Sequence, residues 1–291
     1  MDTDPLFPDL LFKEASDILV RKNSLCDIIS NNKEKKYESA QQIFERSARL
    51  YKLSKQYKQS TDAYEQVARC CIALNNESEA AMAFMNAFET CQKYNINQAI
   101  IYAQYATKIY TNLGSLHDIA KCNEKVALSY ESINDQEQAL FYYMACLDVS
   151  EIENKSYSLN KFRLKIANIY VHMQRYDDAA EIYEKLAEVC INTLAKFRLN
   201  EYLTSAMICT LAKHDHITST KKFQNFVDKY KDYEESTDGK FISDLLSSIK
   251  ESNTGLYTMI IDGFRRLPDW QVNILSNVET AMSREDDNDI C

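Results

Sequence analysis

Glycine and proline are almost missing from this chain, with 4 Gly and 3 Pro among 291 residues. The prolines are Pro5, Pro8 and Pro268, so nothing between Asp9 and Leu267 carries the ring that breaks a helix interior. A sheet protein of this length needs far more Gly and Pro for its turns. So few glycines also leave no Gly-rich phosphate loop, no dinucleotide fingerprint and no nucleophile elbow. Apolar runs are short too. The longest, Ala99 to Tyr110, is interrupted by Gln104 and Lys108, well below the roughly 20 residues a membrane-spanning helix requires. No charged-then-apolar leader opens the sequence.

Candidate chemistry is equally sparse. There are 4 His, and only His214-Asp215-His216 brings two close together. That pair lacks a third ligand and reads as a solvated loop; His117 and His172 read as surface residues. The 9 Cys contain no CxxC pair, which fits a reduced, cytosolic protein using thiols as small core residues. Cys70 and Cys71 cannot bridge each other on a helix without strain. A net charge of -9, from 34 Lys+Arg against 43 Asp+Glu, opposes bulk nucleic-acid binding, which needs a basic surface to displace counterions. The expectation is a non-enzymatic protein without metal or cofactor.

What is present is a period. Ala40, Ser60, Ala80, Ala99, Ala120, Ala139 and Ala179 recur almost every twenty residues, and only the step near Asn160 lacks a small residue. One step is a helix plus its turn, so two make a helical hairpin of roughly forty residues, the signature of a stacked array. Four positions after the small residue comes a bulky one in several repeats (Phe44, Tyr64, Phe84, Tyr143, Tyr183). Seven to eight positions on comes another small one (Ala48, Ala68, Ala87, Ala106, Ala127, Cys146, Ala167, Ala187). Those offsets share one helical face.

The predicted helices are Tyr37–Ser54, Tyr57–Leu74, Glu77–Tyr94, Asn97–Leu113, Leu116–Ile133, Gln136–Ser150, Ser156–His172, Tyr176–Thr193 and Leu199–Lys213. A short helix opens at Asp9. Asn75-Asn76, Asn95, Asn134-Asp135 and Gln174 sit in the turns as expected caps of the following helices. After Lys213 the period fades into helices over Ser219–Asp232, Lys240–Glu251, Asn253–Phe264 and Leu267–Met282. The fold class is all-α: a tetratricopeptide-like right-handed superhelix over 1–215, a C-terminal helical bundle over 216–283 and an acidic tail over 284–291, expected to be frayed until bound.

Three features exceed packing. The segment 23–32 holds Leu25, Cys26, Ile28 and Ile29 and either covers the first hairpin or forms a membrane-touching finger. Each aliphatic contributes at most about 1.5–3 kcal/mol, with Lys33, Lys35 and Lys36 beside anionic headgroups. Cations at Lys93, Lys108, Lys121, Lys125, Lys161, Arg163 and Lys165 either solvate helices or form a stripe for an acidic rod. Lys121 and Lys161 stand one forty-residue hairpin apart. The acidic tail, with Asp286, Asp287, Asp289 and then Ile290, is either a solubilising end or a docking peptide.

Taken together, Ser39–Tyr51, Gln98–Thr111, Tyr176–Glu184, and the ending of Arg266-Leu267, Trp270 and an acidic tail with a penultimate aliphatic resemble the soluble NSF attachment proteins, the SNAP adaptors, of the alpha/beta type. The resemblance covers nearly the whole chain. It implies an adaptor, several copies of which coat a SNARE four-helix bundle and recruit the hexameric ATPase NSF, which pulls the bundle apart after membrane fusion. It implies SNARE-contacting roles for Lys121, Lys161 and Lys165, and for Lys93 as a looser match. Leu25 and Cys26 fall where relatives carry Phe-Phe, with Ile28 and Ile29 extending the loop, which implies weaker membrane contact. Ile290 falls at the ATPase-stimulating penultimate Leu. Ser115 replaces a frequent basic residue, the segment 213–235 matches less well, and Pro268-Asp269 alters the spacing before Trp270. The implied location is cytoplasmic and peripherally membrane-associated. The rival reading is a tetratricopeptide co-chaperone or peptide-binding scaffold unrelated to SNAREs, clamping a free acidic C-terminal peptide.

Overall fold

The computed structural model describes residues 7–21, 32–191, 198–264 and 267–288. They form fourteen helices and, among the described residues, no strand. The chain divides into two compact units, Met1–Asn154 and Lys155–Cys291. The first holds α1 (Phe7–Val20), α2 (Asn32–Leu53), α3 (Tyr57–Ala73), α4 (Glu77–Cys91), α5 (Ile96–Asn112), α6 (Leu116–Ser132) and α7 (Gln136–Ile152). The second holds α8 (Ser156–His172), α9 (Tyr176–Ile191), α10 (Leu199–Leu211), α11 (His216–Lys229), α12 (Thr237–Lys250), α13 (Thr254–Gly263) and α14 (Asp269–Asn288). The helices expected from the period are all present. Their ends shift by a few residues, most at α2, which begins at Asn32 rather than Tyr37.

One turn geometry repeats between them. Lys55, Asn75, Asn134, Asn154, Gln174, His214 and Ser252 all have positive φ, and Gly114 has φ 67°. Each lies just past a helix end. At Asn75 the amide donates to the Ile72 carbonyl at 3.0 Å, and the next amide, of Asn76, donates to the Cys71 carbonyl at 2.8 Å. This pair of bonds is the Schellman closure, which satisfies carbonyls a helix end leaves open. The amides of Gln56, Ser115, Asp135 and Arg175 repeat the longer bond to the carbonyls of Tyr51, Tyr110, Tyr130 and Tyr170. A left-handed residue favours glycine, yet only Gly114 supplies one here. Asn75, Asn134 and Gln174 therefore end the preceding helix rather than cap the next one, correcting the sequence-based expectation. Capping itself falls to Asn95 and Asp135, whose side chains accept from the amides of Gln98 and Gln138 at 3.1 Å each.

The small residues form the seam. Ala40, Ser60, Ala80, Ala99, Ala139 and Ala179 are 0 % exposed; Ala120 alone of that series is half-buried. The second series, Ala48 through Ala187, is likewise 0 % exposed at every position. Small side chains let neighbouring axes approach, and Phe44, Tyr64, Phe84, Tyr143 and Tyr183 fill the space beside them. Within each unit consecutive helices pack against one another, and the second-neighbour helices of the first unit are tied across about one hairpin. Tyr102 on α5 donates to Glu65 on α3 at 2.8 Å. Gln104 on α5 donates to Tyr142 on α7 at 3.4 Å.

In the second unit α10 is the axis. Every residue from Tyr202 to Leu211 is buried, and α9, α11, α12 and α14 pack against it. A helix apolar all round belongs at a centre, and its hydroxyls find buried partners. Gln271 donates to Ser205 at 3.0 Å, and Thr204 bonds the Tyr233 hydroxyl at 3.1 Å. Among the described residues no buried side-chain N or O lacks a partner. Pro268 stands outside the last helix, its carbonyl accepting from the amides of Gln271 and Val272 at 2.9 and 3.2 Å. Helix α14 continues past Met282 to Asn288.

If the seam sets the stack, enlarging it costs stability where it is closed. Ala87→Leu is expected to lower the urea-unfolding free energy by about 1–3 kcal/mol, and Ala120→Leu, at the half-buried step, by clearly less. Equal losses at the two positions would contradict this packing.

Candidate interaction surface

The described cysteines confirm their use as packing. Cys70, Cys71, Cys91, Cys122, Cys146, Cys190 and Cys209 are free and buried. Burial pushes the Cys70 and Cys122 thiols up to about 11 and those of Cys71 and Cys209 up to about 12, so they carry no thiolate chemistry near neutral pH. His214 closes α10 at φ 58°. Asp215 caps α11, accepting from the Thr218 amide at 3.0 Å, and His216 is the first residue of α11. Among the described residues no group of three His, Cys, Asp or Glu could hold a metal ion, and no helix is long and apolar enough to cross a membrane.

On the first unit, α2, α4 and α6 present a charged ladder. Glu89 of α4 accepts from Lys52 of α2 at 3.3 Å and is bonded on its other side by Lys125 of α6. Burial would raise the Glu89 carboxyl, but the hydrogen bonds and charges of Lys125 and Lys52 outweigh it and hold it below its ordinary value. Lys52, Glu89 and Lys125 line a cleft of about 400 Å³ together with Lys93, Leu128 and Ser132. Lys93 is exposed just beyond α4, and Lys121 is exposed one turn before Lys125 on α6. The structure thus brings Lys93 together with Lys125, a member of the same sequence-based cation series, and with Lys52, which that series leaves out. The signal for Lys52 and Lys125 was present as pairs spaced 36 to 37 residues from Glu89, close to one hairpin.

On the second unit, α8 carries Lys161 and Lys165 one turn apart. Lys161 is exposed, with its Nζ 5.3 Å from the Phe162 ring centroid, and Lys165 is half-buried. Both line a cleft of about 440 Å³ with Leu164, Leu186, Arg198 and Tyr202. Arg198, also absent from the sequence-based site, reaches the Tyr202 hydroxyl at 3.4 Å. Leu25, Cys26, Ile28 and Ile29 lie outside the described residues, as do Asp289 and Ile290. Asp286 and Asp287 fall in the last turn of α14.

A scaffold of stacked helical hairpins with cation-lined clefts is the build of an interaction protein. The chain belongs to the soluble NSF attachment protein family: the family described as "Soluble NSF attachment protein, SNAP" matches residues 8–283. The Mus musculus alpha-soluble NSF attachment protein is 26% identical over 258 residues, covering 87% of each chain. The Vitis vinifera alpha-soluble NSF attachment protein is 24% identical over 259 residues, covering 86% of this chain and 88% of its own. A Neurospora crassa probable vesicular-fusion protein sec17 homolog is 25% identical over 285 residues, covering 96% and 97%. Among solved structures, the TPR-like repeats of a putative kinesin light chain from Podosopora anserina align with a TM-score of 0.45 at 11% identity, over 65% of this chain and 95% of that one.

The Glu89 clip has a pH signature. Its carboxyl is depressed in the fold, so its stabilisation is present above the ordinary value of 4.5 and is lost as pH falls through the folded one. Glu89→Gln should therefore lower the unfolding free energy at neutral pH by about 0.5–1 kcal/mol, the scale of partly exposed pairs. The gap to wild type should close in acid. A gap unchanged at low pH would contradict the clip.

Proposed function

We propose that this chain is a non-enzymatic adaptor that binds assembled SNARE four-helix bundles and recruits and stimulates the NSF hexamer for their disassembly. The observation that carries the reading is the family match over nearly the entire chain, and the cation-lined clefts on both units support it. Lys93 and Lys121 of the first unit and Lys161 and Lys165 of the second meet the acidic rod, with several copies around each bundle. An array over 1–215 holds these lysines, and a bundle over 216–283 carries the tail. Residues Leu25, Cys26, Ile28 and Ile29 give weak membrane contact, on the scale of a single reversible lipid anchor. Asp286, Asp287 and Asp289 steer the tail to a basic partner and Ile290 fills a pocket in it. The protein works in the cytoplasm, peripherally on membranes.

Co-sedimentation with a preformed SNARE bundle, with and without NSF and ATP, tests the whole reading. Lys121→Glu combined with Lys161→Glu should abolish co-sedimentation while leaving the circular dichroism spectrum intact; undiminished binding would refute the assigned surface. Ile290→Ala should bind bundles normally yet block NSF-driven disassembly. A wild-type disassembly rate in that variant would remove the tail from the mechanism.

A further inference from the structure

Away from the cation-lined clefts, the first unit carries a bare stripe on α7. Glu137, Phe141, Met144 and Asp148 are all exposed, and their spacing of four, three and four residues puts them within about 60° of arc on one helix face. Phe141 is 64 % exposed and Met144 46 %, large apolar groups left in water at the middle of a helix. The Phe141 ring is held in place. It meets Tyr142 edge-on at 5.3 Å, and Tyr142 stacks on Tyr130 of α6 at 5.6 Å. The same positions one hairpin earlier, on α5, hold Asn97, Ile101, Gln104 and Lys108. Ile101 is 39 % exposed, and Gln104 donates to the Tyr142 hydroxyl at 3.4 Å, which sets the two faces side by side. Helix α7 contains the acids Glu137, Asp148 and Glu151 and no Lys, Arg or His. Among the described residues, Glu137 and Asp148 form no ion pair. Lys108 is the one charged residue of α5.

We propose that these neighbouring faces of α5 and α7 dock a basic amphipathic helix of a partner protein. Its apolar side chains seat on Phe141, Met144 and Ile101, and its Lys or Arg side chains meet Glu137 and Asp148. A rigidly held, exposed aromatic beside an adaptable Met is the kind of pair on which such contacts concentrate their energy. A helix laid along the stripe reaches both anchors with apolar residues about one turn apart. The flanking acids select the sign of the partner. Lys108 stands one hairpin before Asp148, so the pull on a base is strongest at Glu137 and the most basic turn of the partner lands there. The inference does not rest on the adaptor reading. The cleft with Lys52, Glu89 and Lys125 is built by α2, α4 and α6, and a basic helix is opposite in charge to the acidic rod proposed for the lysines.

Fluorescence anisotropy with the full-length protein tests the docking face. The probe is a fluorescein-labelled helical peptide of about 20 residues, with Leu along one face and Lys beside it. Its control carries Glu in place of every Lys. The Lys peptide is expected to bind saturably, and the Glu peptide roughly tenfold more weakly or worse. Phe141→Ala with Met144→Ala keeps the net charge and should weaken Lys-peptide binding about tenfold, with the dichroism spectrum and SNARE-bundle co-sedimentation unchanged. Glu137→Gln with Asp148→Asn should shrink the preference for Lys over Glu. No saturable binding, equal affinity for the two peptides, full affinity in the Phe141 and Met144 variant, or an unchanged preference in the Glu137 and Asp148 variant would overturn the inference. So would a wild-type dimer, anionic-vesicle binding or bundle co-sedimentation that the Phe141 and Met144 variant abolishes, because the face would then belong to a second copy, a membrane or the bundle. Failure of wild type to co-sediment with bundles, with Lys-peptide binding intact, would sink the adaptor reading and leave this face standing.

Discussion

Close approach between helices, made possible by small side chains at a constant pitch, is the constraint on which the rest of this structure depends. Ala40, Ser60 and Ala80, and after them Ala48, Ala68 and Ala87, are all at 0 % exposure. Dispersion and apolar burial grow as axes close, and a single misplaced methylene is felt in so dense an interface. Because each helix satisfies its neighbours in the same way, stability accrues from one hairpin to the next rather than around a single centre. The second unit departs from that rule. There α10 is buried on all sides, and the C-terminal helices gather round it instead of extending the row.

The turns enforce the pitch. A left-handed residue followed at once by the next helix's first cap position leaves no slack in the connection. The chain accepts Lys55, Asn75, Gln174 and Ser252 in that conformation, although a side chain there costs roughly 1–2 kcal/mol relative to glycine. Packing of the flanking helices outweighs the strain. In exchange, the unfolded chain carries few of the freely rotating glycines that would raise the entropy cost of folding. Scarcity of glycine and regularity of the turns are thus two sides of one arrangement.

Most of this architecture was legible in the residues. Helix existence follows from the period, and burial of both small-residue series follows from their shared face, because neither requires knowledge of long-range partners. What escaped depends on such partners. Lys125 reads as a cation like Lys121, yet it is committed to Glu89 across a hairpin, and only the twist between α4 and α6 decides that. Arg198 sits at an element boundary where no periodicity points to a side chain. Asn134 and Gln174 look like caps by type, while their backbone angles make them terminators. The run of Glu285-Asp286-Asp287 reads as a solvated tail, yet α14 carries its helical backbone on to Asn288.

The stack matters for function because it turns scattered cations into ordered ones: Lys93 beside Lys52 and Lys125, and Lys161 beside Lys165 and Arg198. In the function proposed above these surfaces meet an acidic rod through charge rather than through a deep apolar pocket, and exposed charges are screened over about 10 Å at ordinary salt. The most direct measurement is the affinity of the wild-type protein for a preformed SNARE bundle across a series of ionic strengths. The account predicts a steep, continuous weakening as salt rises. An affinity indifferent to salt would contradict it.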